Sequence, residues 1–166
     1  KHKIIQDGEE KKVAVRLDLQ SFAVLRELVE GVPHPMQAFY SWPKLNNEHD
    51  AMPHQKHTAE FIVDNLKCLV LNSTGTGKTL SILYAIDYLL DIGEIDKAVI
   101  VSPISTLHAV WSSGVTNSFP SRTHEVLYGS KPKRIESLAK NPNIAIINPD
   151  GIVVLQKELG AWATRR

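Results

Sequence analysis

The residues with the clearest chemical use are Asn72-Ser73-Thr74-Gly75-Thr76-Gly77-Lys78-Thr79. Gly75 and Gly77 allow backbone angles that a Cβ would forbid and let the backbone come close to a ligand. The N–H groups of the loop, Ser73, Thr74, Gly75, Thr76 and Gly77, can then converge on phosphate oxygens. The positive end of a following helix would help them. Lys78 supplies a mobile point charge for β- and γ-phosphates and is the candidate catalytic residue. The Thr79 hydroxyl is a natural magnesium ligand. The chemistry implied is binding of ATP with Mg2+.

These residues need a strand before them and a helix after them. The apolar run Cys68 to Leu71 reads as a short buried strand. Lys78 and Thr79 open a helix that is apolar nearly all round as far as Ile92, which suggests a helix buried inside an α/β domain. The general phosphate-loop pattern asks for glycine at position 72, and this chain has Asn72. The competing reading is a plain glycine turn between a strand and a helix.

The 166 residues suffice for one ordinary domain with a core of its own. A hydrophobic share of 43% with 22% charged residues is that of a soluble globular protein. No run is long enough to cross a membrane, so no membrane partner is expected. The basic start lacks an apolar signal region. One cysteine excludes an internal disulfide framework and fits a reducing compartment. The expected setting is intracellular, in the cytoplasm, with the cytoplasm of a bacterial or phage-infected cell as a candidate. A net charge of +1 gives no global basic field, so any DNA contact would have to be local.

Along the chain, residues 1 to 17 read as a β-hairpin around Asp7-Gly8, with Val13, Val15 and Leu17 alternating on its second strand. Phe22, Leu25, Leu28 and Val29 have helical spacing, and Gly31 is a stop. The segment from Gly31 to Pro53 is irregular and rich in proline, with Phe39, Tyr40 and Trp42 making it adhesive. A helix is expected over 53–65, with Pro53 in its first turn and Ala59, Ile62, Val63 and Leu66 as its apolar face. His49, His54 and His57, with Glu48 and Asp50, are candidate metal ligands but lack a clear four-ligand set and read as surface residues.

Gly93 should end the long helix. Lys97 to Ser102 reads as a strand covered on both faces. A helix then starts at Pro103 with Ser102 as N-cap, its inward stripe Leu107, Val110, Trp111 and Val115. Another short strand is expected over 125–128, a turn at Gly129-Ser130, and an amphipathic helix over 131–140. Lys131, Lys133 and Arg134 cluster at that helix start, where they oppose the dipole. They read either as a contact to a phosphate backbone or as a solvated face. Ile144 to Ile147 is a buried strand, followed by a helix with Asn148 as N-cap and Ile152, Leu155 and Leu159 inward.

Three stretches together resemble one family. N-S-T-G-T-G-K-T is similar to motif I of superfamily-two helicases and translocases, in the version that lacks the first glycine. P-H-Q-K-H-T resembles the glutamine motif that precedes it, where a glutamine reads the adenine edge; Gln55 is the matching residue. V-S-P-I-S-T-L-H-A-V-W resembles motif Ia of the Swi/Snf-like branch. There the loop contacts the DNA backbone, which implies Ser102, Pro103 and Ser105 here, while Trp111 reads as core packing ahead of DNA contact. The resemblance implies a RecA-like parallel sheet covered by helices, preceded by a small β-β-α element. The division expected is 1–42, accessory segment and linker, and 43–166, the amino-terminal part of the ATP-binding lobe. It implies ATP-driven movement on DNA, double-stranded rather than single-stranded, and a second RecA-like lobe of the same parent chain as partner. No apolar strand here ends in Asp-Glu, the acid of motif II, so these residues alone are expected not to hydrolyse ATP. A module from another class would keep the loop for binding and lack hydrolysis. A small-molecule kinase would want more arginines after the loop, and a GTPase an N-K-x-D base reader.

Overall fold

The computed structural model describes residues 2–6, 9–13, 33–44, 48–65 and 67–164. The helix expected over residues 19–29, the turn at Asp7-Gly8, and Val15 and Leu17 lie outside them. β1 (His2–Gln6) pairs antiparallel with β2 (Glu9–Val13), with Ile4 opposite Lys11. An antiparallel pair of strands is the expected one, and the second runs Glu9–Val13.

The main sheet has three parallel strands in the order β3-β5-β4. They are β3 (Ala98–Val101), β4 (His124–Leu127) and β5 (Ile144–Ile147). β5 lies in the middle and all four of its residues are buried. Its unbroken apolar run, Ile-Ala-Ile-Ile, is what a strand covered on both faces requires. Side chains alternate across it, so the sheet has two cores. On one face Ile144 and Ile146 pack with Ile100, Leu80, Leu83, Tyr84, Leu107 and Val115. On the other, Ala145 and Ile147 pack with Leu127, Leu138, Leu155, Leu159 and Trp162. The architecture is mixed α/β with a parallel sheet covered by helices, as the sequence implied.

α1 (Pro35–Phe39), α2 (Pro53–Asp64) and α3 (Lys78–Asp91) precede the sheet strands. α3 buries Leu80, Leu83, Tyr84, Ala85 and Tyr88, and Ser81 and Asp87 as well, so it is enclosed nearly all round. Gly93, at φ +71°, ends it: Gly93 N–H bonds Leu90 O and Glu94 N–H bonds Leu89 O. Those two bonds form a Schellman motif, which needs the left-handed residue glycine supplies.

The proline-rich segment 34–44 is a strap across α2 and α3. His34 Nε2 lies 3.0 Å from Asp64 Oδ1, and Gln37 donates to Glu60 Oε2 at 3.0 Å. Tyr40 donates its hydroxyl to Asp87, which also pairs with Arg122. Burial and that bond to Asp87 push the Tyr40 phenol well above its usual range, so it stays a donor. Tyr40 and Trp42 stack edge-on with Tyr84, whereas Phe39 is 64% exposed. The adhesive expectation holds for Tyr40 and Trp42.

After β3 the chain runs through α4 (Ile104–Thr106), a π-helical turn (Leu107–Ser112) and α5 (Ser113–Ser118). The π turn changes the expected stripe. Leu107 and Val115 are fully buried, but Val110 is 39% exposed. A wider turn rotates the residues inside it away from the α-helical positions that periodicity assumes. β4 is followed by α6 (Lys131–Ala139), and β5 by α7 (Pro149–Val154) and α8 (Gln156–Ala163).

One expectation fails outright. Cys68 to Leu71 is not a strand: it pairs with no strand among the described residues, and Leu69 is 75% and Leu71 82% exposed. Apolar composition does not make a strand without a neighbour to take its N–H and C=O groups. Among the described residues none does. β3 is paired with β5 but, against the expectation for 97–102, is covered on one face only. Val99 and Val101, 43% and 48% exposed, point to the side where α6 and α8 cover β4 and β5.

A smaller consequence concerns pH. His124, at the start of β4, bonds Ser112 Oγ at 2.8 Å, and burial lowers its pKa from 6.5, partly offset by Glu125. The unfolded chain then binds more protons below pH 6.5 than the folded one. This stability is present above that pH and is lost as pH falls from 6.5 toward the folded value. The melting temperature of the wild type should therefore fall between pH 7.5 and 5.5 more steeply than that of His124→Gln. Parallel slopes would contradict this.

Candidate functional site

Two elements build the site: the loop 72–77 with the start of α3, and the first two turns of α2. Gly75 and Gly77 have φ of +81° and +73°, the left-handed region where glycine carries no Cβ penalty. Space above Gly75 is open, whereas a Cβ on Gly77 would overlap the Gln55 amide nitrogen. Gly77 is the residue from which α3 starts, and Ser81 N–H bonds Gly77 O at 3.1 Å. The N–H groups of the first helical turn have no partner within the helix, so they and the dipole face the loop.

Lys78 Nζ lies 2.8 Å from both Asn72 O and Ser73 O, so the ammonium spans the concave side of the loop. Thr76 Oγ1 donates to Ser73 O at 2.9 Å and tightens the same turn. Thr79 is half-buried in the first turn of α3, and Ser73 and Thr74 are exposed. This arrangement gathers an ammonium, a hydroxyl and unpartnered helix-start N–H groups around two glycines. It fits a polyphosphate carrying a divalent cation.

Gln55 is 8% exposed. Its Oε1 accepts from Met52 N–H at 3.0 Å, the side-chain half of a capping box, and its amide nitrogen lies against Gly77. The fold thus brings Gln55 to the loop. It also brings His54 and Thr58, which the sequence reading left as surface or did not single out. His54 Nε2 is 3.0 Å from Thr76 O, and Asn72 Nδ2 donates to Thr58 Oγ1 at 2.9 Å. The available signal was the i, i+4 spacing of His54 and Thr58 beside Gln55. Among the described residues no cluster of three acidic, histidine or cysteine side chains is placed to hold a metal.

The residues considered for nucleic acid sit elsewhere, at the carboxyl ends of the sheet strands. Ser102 follows β3 and is 7% exposed. Its hydroxyl accepts from Trp111 Nε1 at 2.8 Å and shares a 2.6 Å bond with Thr106, whose proton goes to Pro103 O. Pro103 and Ser105 are exposed. Lys131 pairs with Glu158 at 2.9 Å, and that bond keeps the Glu158 acid below its usual range. Arg134 donates to Gly129 O and to Asn148 Oδ1, bracing the ends of β4 and β5. Lys133 is exposed.

A family model described as DEAD/DEAH box helicase matches residues 52–162. No curated protein matches the chain. The matched residues contain all of the loop, α2 and the three-stranded sheet. Among the described residues no helix is long and apolar enough to cross a membrane.

Proposed function

The chain belongs to the DEAD/DEAH box helicase family, and from that premise we propose that it is the ATP-binding part of a Swi/Snf-like translocase that moves on double-stranded DNA. The observation that carries the nucleotide reading is the loop itself, with Lys78 Nζ held across two loop carbonyls at the start of a 14-residue helix. Lys78 would meet the β- and γ-phosphates, and the N–H groups of Ser73 to Gly77 their oxygens. Thr79 would ligand magnesium, which when bound supplies neutralising charge to the phosphates. Gln55 would set the entry side of the site, next to Gly77.

DNA as the track is supported by the order of the motif-I-like and motif-Ia-like stretches and by the exposed Pro103 and Ser105 at the end of β3. With a net charge of +1, affinity for DNA should be weak and fall steeply with salt. Hydrolysis would belong to the complete parent protein, with the motif II acid and a second RecA-like lobe.

The test is phosphate release by the complete protein with Mg-ATP and competing tracks. Duplex DNA should stimulate release more than single-stranded DNA or RNA. Stimulation by RNA alone would overturn the DNA reading. Tight Mg-ATP binding with no turnover on any track would favour a binding module that has kept only the loop.

A further inference from the structure

Asn72 departs from the glycine of the general phosphate-loop pattern, and the structure gives it a partner. Its Nδ2 donates to Thr58 Oγ1 at 2.9 Å. Thr58 is 9% exposed, and its own proton goes to His54 O at 2.7 Å. The Thr58 oxygen can therefore only accept from Asn72, and an amide is the group it needs. Four residues along the loop, Thr76 O meets His54 Nε2 at 3.0 Å. A carbonyl only accepts, so Nε2 carries the proton. His54 and Thr58 are one helical turn apart on one face of α2. Residues 72 and 76 of the loop thus lie antiparallel along that turn, and Gln55 fills the space beside Gly77.

We propose that α2 anchors the phosphate loop at two points, Asn72 to Thr58 and Thr76 to His54, and that these are positioning residues that fix the loop's shape before nucleotide arrives. A loop with two left-handed glycines has more conformations to lose than most. Two tethers remove that freedom in advance, and a preordered loop binds its ligand more tightly. The anchor's effect on nucleotide rests on the ATP reading above; its effect on the loop does not.

The experiment therefore has two readouts on the complete protein: amide exchange of residues 73–77 without nucleotide, and binding of a fluorescent Mg-ATP analogue. Thr58→Val keeps shape and loses the acceptor; Asn72→Ala loses the donor. Each should speed exchange in the loop and raise Kd by about 3- to 10-fold, the worth of one hydrogen bond. The double variant should be no worse than either single, and Thr58→Ser should restore both readouts. Asn72→Asp should be worse than Asn72→Ala, because a carboxylate oxygen would face the Thr58 lone pairs. His54→Gln, which can return an N–H to Thr76 O, should outperform His54→Ala. Unchanged loop exchange in Thr58→Val and Asn72→Ala, or effects that simply add in the double variant, would overturn the anchor. So would Kd values equal to wild type while the wild type binds well. Faster loop exchange in a protein whose wild type takes no nucleotide would support the anchor and remove the ATP reading instead.

Discussion

Lys78→Ala should abolish ATP hydrolysis by the complete parent protein, with a loss on the order of a hundredfold or more in rate, while the fold stays intact. The two expectations have separate structural grounds. The ammonium touches Asn72 O and Ser73 O in a loop that is exposed or half-exposed, so its removal returns two carbonyls to water. The buried side of α3 is carried by Leu80, Leu83 and Tyr84 instead. With a triphosphate present, the same charge would face the transferred group, where the loop N–H groups alone cannot replace it. Steady-state phosphate release and thermal melting on the same preparation decide the matter. Turnover within a few-fold of wild type would show that another cation neutralises the phosphates. A collapsed melting curve would show that Lys78 is structural.

The largest loss of stability should come from Tyr84→Ala, about 3–5 kcal/mol, out of a total that is typically about 5–15 kcal/mol. Tyr84 has no exposed surface and lies where three segments meet. Its ring stands edge-on to Trp42 at 5.2 Å and to Phe119 at 5.5 Å, and its hydroxyl donates to Pro43 O at 2.7 Å. Burial pushes its pKa up to about 12, so the phenol remains a neutral donor through the working range. Alanine would leave a cavity between α3, the strap and the end of α5, and would orphan the Pro43 carbonyl. Tyr84→Phe keeps the ring and should cost only about 1–2 kcal/mol. Urea unfolding followed by circular dichroism measures both. Equal costs for the two variants would mean that the hydroxyl, not the packed ring, holds the strap.

The site and the fold differed in how far the sequence revealed them. The loop was readable because Gly75, Gly77, Lys78 and Thr79 are constrained by local chemistry, and local chemistry is written in consecutive residues. β5 was readable because a run of four buried apolar residues fits little else. Gly93 was readable because a helix end needs a left-handed residue. Cys68 to Leu71 misled because a strand depends on a neighbour, and a neighbour is not visible in a run of four residues. Val110 misled because periodicity assumes an α-helix, and the wide turn at 107–112 breaks that assumption. The loop contacts of Thr58 and His54 were not legible because a threonine and a histidine gain that meaning only when the loop folds back onto α2.

The place of β5 has a consequence for how the chain comes to be folded. Of these three strands it is the last in chain order and the middle one in the sheet, with Ala98 and His124 both registered on Ile144. β3 and β4 share no edge, so among the described residues neither has a strand partner until β5 arrives. During synthesis the strap, α2 and α3 can dock on one another early, because their residues all precede the sheet strands. These three strands cannot all pair until residue 147 has left the ribosome, and β3 must then join β5 across the whole segment from Ala98 to Ile144, a slow kind of event. Until then Ile146 and Ile147 are missing from the two cores that Ile100 and Leu127 enter, and the apolar surface left open makes the nascent chain prone to aggregate.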